Sequence, residues 1–226
     1  MFKINKALHE QAFLYASLVL TTTVWFTLLS SPVNRLIKGK VHLKNNSHFL
    51  VCITGCDTGF GRDCSKKLKK LGFQVLALCM TEEGARDLLG IGIHCVIGDV
   101  TKVQTISSLV AKTNDLIAQN PSLRLWAVIN NAGIAPVGYL DWLELDTYRQ
   151  CMEVNYFAPI SVIKSFLPLL KQTCGSRIIN LSSMAGLIGT PTFSAYSASK
   201  HAIEGLMKSL RPEASIFYCW ILFFCF

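Results

Sequence analysis

The sequence predicts an α/β fold, a doubly wound parallel sheet, preceded by an N-terminal transmembrane helix. Three observations carry the prediction. Short strand-like runs are apolar throughout, stretches with helical periodicity separate them, and a glycine-rich turn follows the first strand directly. Strands that are apolar on both faces must be covered on both faces, which the intervening helices do in a parallel sheet. The chain has 226 residues, 51% hydrophobic and 16% charged, which suits one such domain plus a membrane segment. It contains no internal repeat and no low-complexity stretch.

The elements follow in order. From Gln11 to Asn34 there is no charged residue, and AFLYASLVLTTTVWFTLL, Ala12 to Leu29, is the apolar heart of that run. As a helix it spans about 27 Å, close to the hydrocarbon thickness of a bilayer. The alternatives are a cleaved secretory signal or a buried core helix. The run is long for a signal, and SSPV is a poor cleavage site. Lys3 and Lys6 flank one end, and Arg35, Lys38, Lys40 and Lys44 the other, against the single acid Glu10. Most of the net charge of +8 therefore sits in residues 1–44. The larger cluster on the C-terminal side favours a cytosolic domain by the positive-inside rule. Basic flanks beside an apolar run point to membrane lipid as a partner. Nucleic acid is excluded as a partner, because no basic run is interleaved with aromatics.

Residues 1–44 are thus an anchor and basic linker, residues 45–214 a dinucleotide-binding domain, and residues 215–226 an apolar tail. Within the domain, HFLVCIT (48–54) is the first strand. Arg62 to Leu71 places Cys64, Leu68 and Leu71 on one helical stripe, and Gly72 stops it. FQVLALCM is a second strand and HCVIGDV (94–100) holds a third. Thr101 can cap a helix whose stripe is Val103, Ile106, Val110, Leu116 and Ile117, ended by Asn120-Pro121. LRLWAVI (123–129) is a fourth strand, a helix covers about 145–171, SRIINLSS (176–183) is a fifth strand, and a last helix covers about 195–210.

The nine cysteines form no C-x-x-C pair, and several fall inside strands. They read as small hydrophobes in a reducing compartment, neither a disulfide frame nor a zinc site, and no metal ligands are assigned. Asn45-Asn46-Ser47 is a glycosylation sequon that matters only if the domain is lumenal.

The first strand runs into TGCDTGFGRD, with Gly55, Gly59 and Gly61 spaced G-x-x-x-G-x-G. A strand-to-helix turn points backbone N–H groups and the positive end of the helix dipole outward, and glycine lets a pyrophosphate approach. Gly55, Cys56, Asp57, Thr58, Gly59, Phe60 and Gly61 are therefore the candidate nucleotide-binding segment.

This loop resembles that of the short-chain dehydrogenase/reductase family, and four further motifs agree. Asp99-Val100 resembles the family's adenine-contacting pair. Asn130-Asn131-Ala132-Gly133 resembles its NNAG element, which stabilises the sheet and lines the adenine-ribose side. Asn155, in CMEVNYFAP, stands where the family has a helix-bending Asn. Ser183 precedes Tyr196 by 13 residues, and Tyr196 and Lys200 form the Y-x-x-x-K pair. TGCDTGFG, TEEGA, LWAVINNAG and CMEVN resemble the membrane-associated retinol and 17β-hydroxysteroid dehydrogenase group most closely. The resemblance covers about residues 48–214 and implies a Rossmann sheet and an NAD(P)-dependent dehydrogenase. It also implies a steroid- or retinoid-like alcohol as substrate, an endoplasmic reticulum membrane (or a mitochondrial one), and a homo-oligomer as a further association.

The chemistry explains the residues. Oxidising an alcohol removes a proton from oxygen while hydride leaves carbon. A free phenol titrates near 10, so Tyr196 needs help, and Lys200 lies one helical turn on, where its ammonium favours the phenolate. Ser183 can donate a hydrogen bond to the substrate oxygen. The resemblance adds that Lys200 holds the nicotinamide ribose and that Asn155 anchors a water on a proton exit. His201, beside Lys200, is read as a bystander. For the cofactor, Cys79-Met80 at the end of the second strand offers neither acid nor base. Glu82 and Glu83 follow and no cation precedes Gly61 in the loop, which favours NAD over NADP.

The resemblance ends near Ala214. Family members continue into a sixth strand, a Pro-Gly element, substrate-covering helices and a seventh strand. Here Ser215 is followed by IFYCWILFFCF, eleven apolar residues, too short to span a bilayer as a helix. The expectation is a shortened C-terminus in which the last strands of the sheet and the substrate lid are missing. The alternative is that the tail substitutes as the sixth strand. Function accordingly has two readings: an active hydrophobic-alcohol dehydrogenase, or an inactive relative that binds only cofactor or a partner.

Overall fold

A computed structural model describes residues 46–215 and the backbone of residues 220–224. The apolar run 12–29 and its basic flanks lie outside the described residues, so the anchor remains a sequence expectation. Among the described residues no helix is long and apolar enough to cross a membrane.

Among the described residues six strands form one sheet in which every neighbouring pair is parallel. They are β1 (Phe49–Thr54), β2 (Gln74–Cys79), β3 (His94–Ile97), β4 (Arg124–Asn130), β5 (Arg177–Leu181) and β6 (Trp220–Phe224). The spatial order is β3-β2-β1-β4-β5-β6. The order reverses between β1 and β4, and a doubly wound sheet opens its ligand crevice at that switch point, beyond the C-terminal strand ends. The helices are α1 (Gly59–Lys70), α2 (Glu82–Gly90), α3 (Val103–Gln119), α4 (Leu145–Met152), α5 (Ala158–Leu170) and α6 (Ser194–Ser215). Consecutive residues of β1, from Leu50 to Ile53, are all fully buried, as a strand covered on both faces requires. The core joins Leu50, Leu76, Leu125 and Ile178 of the sheet to Leu109 of α3, Phe166 of α5 and Met207 of α6.

β6 corrects the expectation of missing last strands for the sixth strand, which the tail supplies. Trp220 pairs with Arg177, Leu222 with Ile179 and Phe224 with Leu181, so the tail lies along β5 as a sixth strand. The physical reason is a bare edge: β5 presents unpaired main-chain groups, and a charge-free run rich in strand formers satisfies them.

Four local expectations also change. α2 was not anticipated from periodicity. Its apolar residues are few, and Thr81 starts it by accepting from Gly84 N at 3.0 Å, with Glu82 and Glu83 in the dipole-favoured first turn. Thr101 does not cap α3: Lys102 is the cap residue, and the Thr101 N–H instead donates to the Asp99 carboxylate at 2.9 Å. Leu71 is 54% exposed, and the buried face of α1 is Gly61 and Ser65, because that helix start lies too close to β1 for larger side chains. The run 145–171 is not one regular helix. A wide π-turn, Glu153–Phe157, separates α4 from α5, and it is where Asn155 sits.

Candidate active site

Four of the predicted site motifs follow C-terminal strand ends, while Asn155 sits in the π-turn and Tyr196 and Lys200 on α6. The glycine loop leaves β1, Asp99 follows β3, Asn131 follows β4 and Ser183 follows β5. Parallel pairing therefore brings them to one edge of the sheet.

The glycine loop is held by its neighbours. Gly55 has φ of +71°, and a Cβ there would meet Ala132 Cα at 2.7 Å, so only glycine allows the loop to lie against the NNAG segment. Gly61 faces the Gly55 carbonyl and the Asn131 amide with no room for a side chain. The Asn131 Nδ2 donates to Thr54 O at 2.9 Å and to Gly55 O at 2.8 Å. Thr54 Oγ1 in turn accepts from the N–H groups of Asn131 and Ala132, each at 3.1 Å. At the start of α1, Thr58 makes no side-chain cap and no acid stands in the first turn. A cavity of about 820 Å³ opens against this helix start. Its lining includes Gly55, Asp57, Thr58, Phe60, Asp99, Val100, Asn131, Ala132 and Gly133. An uncapped, acid-free helix start beside a glycine turn suits an anionic pyrophosphate, so these residues could hold a dinucleotide.

Cys56, Gly59 and Gly61 stand apart from the other predicted cofactor residues. Cys56 is fully buried, its N–H bonds Leu78 O at 2.9 Å, and its Sγ accepts from Ser65 at 3.4 Å. It belongs to the core, not to the cavity wall. Gly59 and Gly61 shape the turn without lining the cavity. Burial pushes the Cys56 thiol up to about 12, and burial likewise raises Cys52, Cys64 and Cys151. The seven described cysteines are all free thiols.

Tyr196, Lys200, Ser183 and Asn155 converge around the start of α6. Lys200 Nζ lies 5.6 Å from the centroid of the Tyr196 ring and donates to Leu181 O of β5 at 2.7 Å. Ser183 caps the short turn Met184–Gly186 by accepting from Ala185 N at 3.2 Å. That turn lies directly on α6: a Cβ on Gly186 would meet Lys200 O at 3.0 Å. Asn155, 2% exposed, reaches across from the π-turn. Its Oδ1 accepts from Ile134 N at 2.9 Å, and its Nδ2 donates to Ile134 O at 2.8 Å and to Ser199 Oγ at 2.9 Å. Ser199 passes the link on, donating to Tyr196 O at 2.7 Å. Gly133 makes this possible, since a Cβ there would press on Asn155 Oδ1 at 3.1 Å. His201 Nδ1 is 2.9 Å from Ser197 O, one turn back on its own helix. Ser183, Tyr196 and Lys200 do not line the 820 Å³ cavity, which covers only the nucleotide end of the crevice.

Two contributors, Thr54 and Ser199, are absent from the sequence reading, and for a third, the candidate cofactor residue Asp57, the contact it makes is absent from it. Thr54 orders the loop, and its only signal is a β-branched hydroxyl directly before the first glycine. Ser199 links Asn155 to Tyr196, and the three-residue spacing to Tyr196 was its signal. Asp57 was counted as a loop residue, but its carboxylate turns to the end of β2. There it accepts from Met80 N at 2.7 Å and from Thr81 N and Oγ1, both at 3.0 Å. Nothing in the local pattern revealed that contact.

Known proteins resemble this chain in sequence and fold. The short chain dehydrogenase family pattern matches residues 50–217. Dehydrogenase/reductase SDR family member 9 of Bos taurus is 38% identical over 80% of this chain and 56% of its own length. The 17-beta-hydroxysteroid dehydrogenase type 6 of Bos taurus is 39% identical over 74% of this chain and 52% of its own. Retinol dehydrogenase 5 of Homo sapiens is 36% identical over 76% of this chain and 54% of its own. The chain thus spans about half the length of the curated relatives it matches. Among solved structures, a short-chain dehydrogenase from Streptomyces avermitilis superposes with a TM-score of 0.70 at 28% identity, covering 77% of this chain and 63% of that one. A short chain dehydrogenase from Burkholderia cenocepacia in complex with NADP gives 0.68 at 27% identity, covering 77% and 70%. By its sheet order, its glycine loop and these likenesses, the chain belongs to the short chain dehydrogenase family.

Proposed function

We propose that this chain moves hydride between a nicotinamide cofactor and a hydrophobic primary or secondary alcohol, or its carbonyl, of steroid or retinoid type. The observation that carries this is the tether of Lys200 to Leu181 O beside the Tyr196 ring, next to the Ser183 turn. A bound nicotinamide supplies the hydride acceptor. Tyr196 takes the alcohol proton, Lys200 stabilises the phenolate by its charge, and Ser183 holds the substrate oxygen. Asn155 and Ser199 position the α6 backbone at Tyr196. Gly55, Asp57, Thr58, Phe60, Asp99, Val100, Asn131, Ala132 and Gly133 hold the dinucleotide, and NAD is the cofactor, with NADP as the alternative.

The apolar substrate class is supported by exposed side chains around the mouth. Tyr139, Leu140 and Trp142 follow the NNAG segment, and Leu187 and Ile188 follow Ser183. The two segments are joined by a hydrogen bond from Gly138 N to Thr192 O at 2.9 Å. The names of the hydroxysteroid and retinol dehydrogenase relatives support the same class. The uncharged run 12–29 with its basic flanks supports anchorage in a membrane, that of the endoplasmic reticulum, with the domain on the cytosolic side. A homo-oligomer is part of the same proposal.

The test is to purify the chain in detergent, titrate NAD and NADP, and follow reduced-cofactor absorbance with estradiol, testosterone, retinol and 3-hydroxybutyrate. Turnover that Tyr196→Phe abolishes, with cofactor binding kept, is expected. Cofactor binding without turnover on any of these would sink the enzyme reading and leave a non-catalytic binding protein.

A further inference from the structure

We infer that Asp57, reaching from the glycine loop to the end of β2, is the residue that makes this site select NAD over NADP. The inference rests on the proposal that the cavity takes a nicotinamide dinucleotide. A dinucleotide site of this topology carries an acid after the second strand to bond the adenosine ribose diol. Here that position is Cys79-Met80, and neither side chain can do so.

The structure supplies the missing carboxylate from elsewhere. Asp57 lines the cavity together with Met80. Its Oδ1 accepts from Thr81 N and Thr81 Oγ1, both at 3.0 Å, and its Oδ2 accepts from Met80 N at 2.7 Å. An ionised carboxylate offers about four lone-pair sites. These three bonds fix its place and leave Oδ2 able to accept from a ribose hydroxyl. Gly84 is part of the device, since a Cβ on it would meet Asp57 Cα at 2.9 Å. The start of α2 can therefore close on the carboxylate only with glycine there.

A 2′-phosphate at the same place would bring up to two negative charges against a fixed carboxylate, which is how a site rejects a near-identical ligand. The cations nearby do not cancel this. Arg62, the first cation after the loop, donates Nη1 to Asp57 O at 3.3 Å, and its other guanidinium nitrogen is paired with Asp87, which neutralises its charge. Lys102 lines the cavity beyond β3, where Asp99 also stands. Glu82 and Glu83, which the sequence alone made responsible, are exposed on the first turn of α2.

The test measures dissociation constants of NAD and NADP for the full chain in detergent by calorimetry, at low and high salt. NAD should bind at least tenfold tighter, with the ratio narrowing as salt screens the repulsion. Asp57→Asn, and Asp57→Ser if the first does not fold, should narrow the ratio about tenfold by strengthening NADP. Glu82→Gln with Glu83→Gln should leave it within twofold. A wild-type preference for NADP, a ratio that ignores salt, or a ratio that follows the two glutamates and not Asp57 would each overturn the inference. Equal loss of both ligands in a folded Asp57 variant would overturn it too, making Asp57 scaffold only. Failure of the wild-type chain to bind either dinucleotide would instead overturn the proposed function itself, and this inference with it.

Discussion

Replacing Asn155 by alanine tests whether the π-turn is held in place by that one side chain. The amide makes four bonds: from Ile134 N at 2.9 Å, to Ile134 O at 2.8 Å, to Ser199 Oγ at 2.9 Å and, weakly, to Cys151 Sγ at 3.4 Å. Alanine leaves both main-chain groups of a half-buried Ile134 without that partner, at ~1 kcal/mol each, the low end because water can reach them in part. Lost packing of a side chain only 2% exposed adds ~1 kcal/mol. The total is ~3 kcal/mol, or a fall in melting temperature of ~6–12 °C for a domain of this size. Urea titration followed by circular dichroism in detergent measures it. Asn155→Asp keeps the acceptor but sets a charge against Ile134 O. Its loss should be at least as large at neutral pH and should shrink in acid, as protonation restores a donor. A loss below ~1 kcal/mol for alanine would refute the reasoning, because it would mean Ile134 is satisfied without Asn155.

Further outcomes are expected. Thr54→Val removes the acceptor for Asn131 N and Ala132 N. It should cost ~2–4 kcal/mol and weaken dinucleotide binding, with Thr54→Ser restoring both. His94 has its pKa lowered, first by burial and then by Lys112 and Lys69. The unfolded chain therefore takes up that proton at higher pH than the folded one. The urea midpoint should fall as pH drops from 7.5 to 5.5, and His94→Gln should flatten that slope. Thiol alkylation of the folded chain should mark Cys174 before Cys52 or Cys56, since Cys174 is exposed and burial raises the other two. Early labelling of Cys52 would show that β1 is not in the core.

Much of this fold could be read before any coordinates, because strands buried on both faces leave uninterrupted apolar runs. β1 and β2 show that pattern and β4 runs apolar from Leu125 to Ile129, whereas β5 alternates in burial and carries Asn180; the glycine loop, Asp99, Asn131 and Ser183 follow strand ends by simple chain order. What escaped was set by contacts distant in sequence. α2 begins with a capping Thr81 but has few apolar residues, so periodicity gave no warning. The π-turn lies in a run whose pattern looks helical on both sides, and Asn155 is recognisable only once Ile134 is seen against it. The tail looked aberrant from local composition, because whether an apolar run is a hazard or a strand depends on the edge it meets. Cys56 and Asp57 are adjacent in the loop yet face opposite environments, core and cavity, which no local pattern separates.

The π-turn has a consequence for how the long run 145–170 can change. One added residue in an α-helix advances every side chain beyond it by about 100°. The wide turn absorbs such a residue, so α4 and α5 have separate rotational phases. α4 turns Asp146, Arg149 and Gln150 toward the cavity, while α5 turns Val162, Phe166 and Leu170 into the core. Deleting one residue at Glu153–Phe157 would lock the two phases together. The cavity wall could then be correct, or the core could be, but not both.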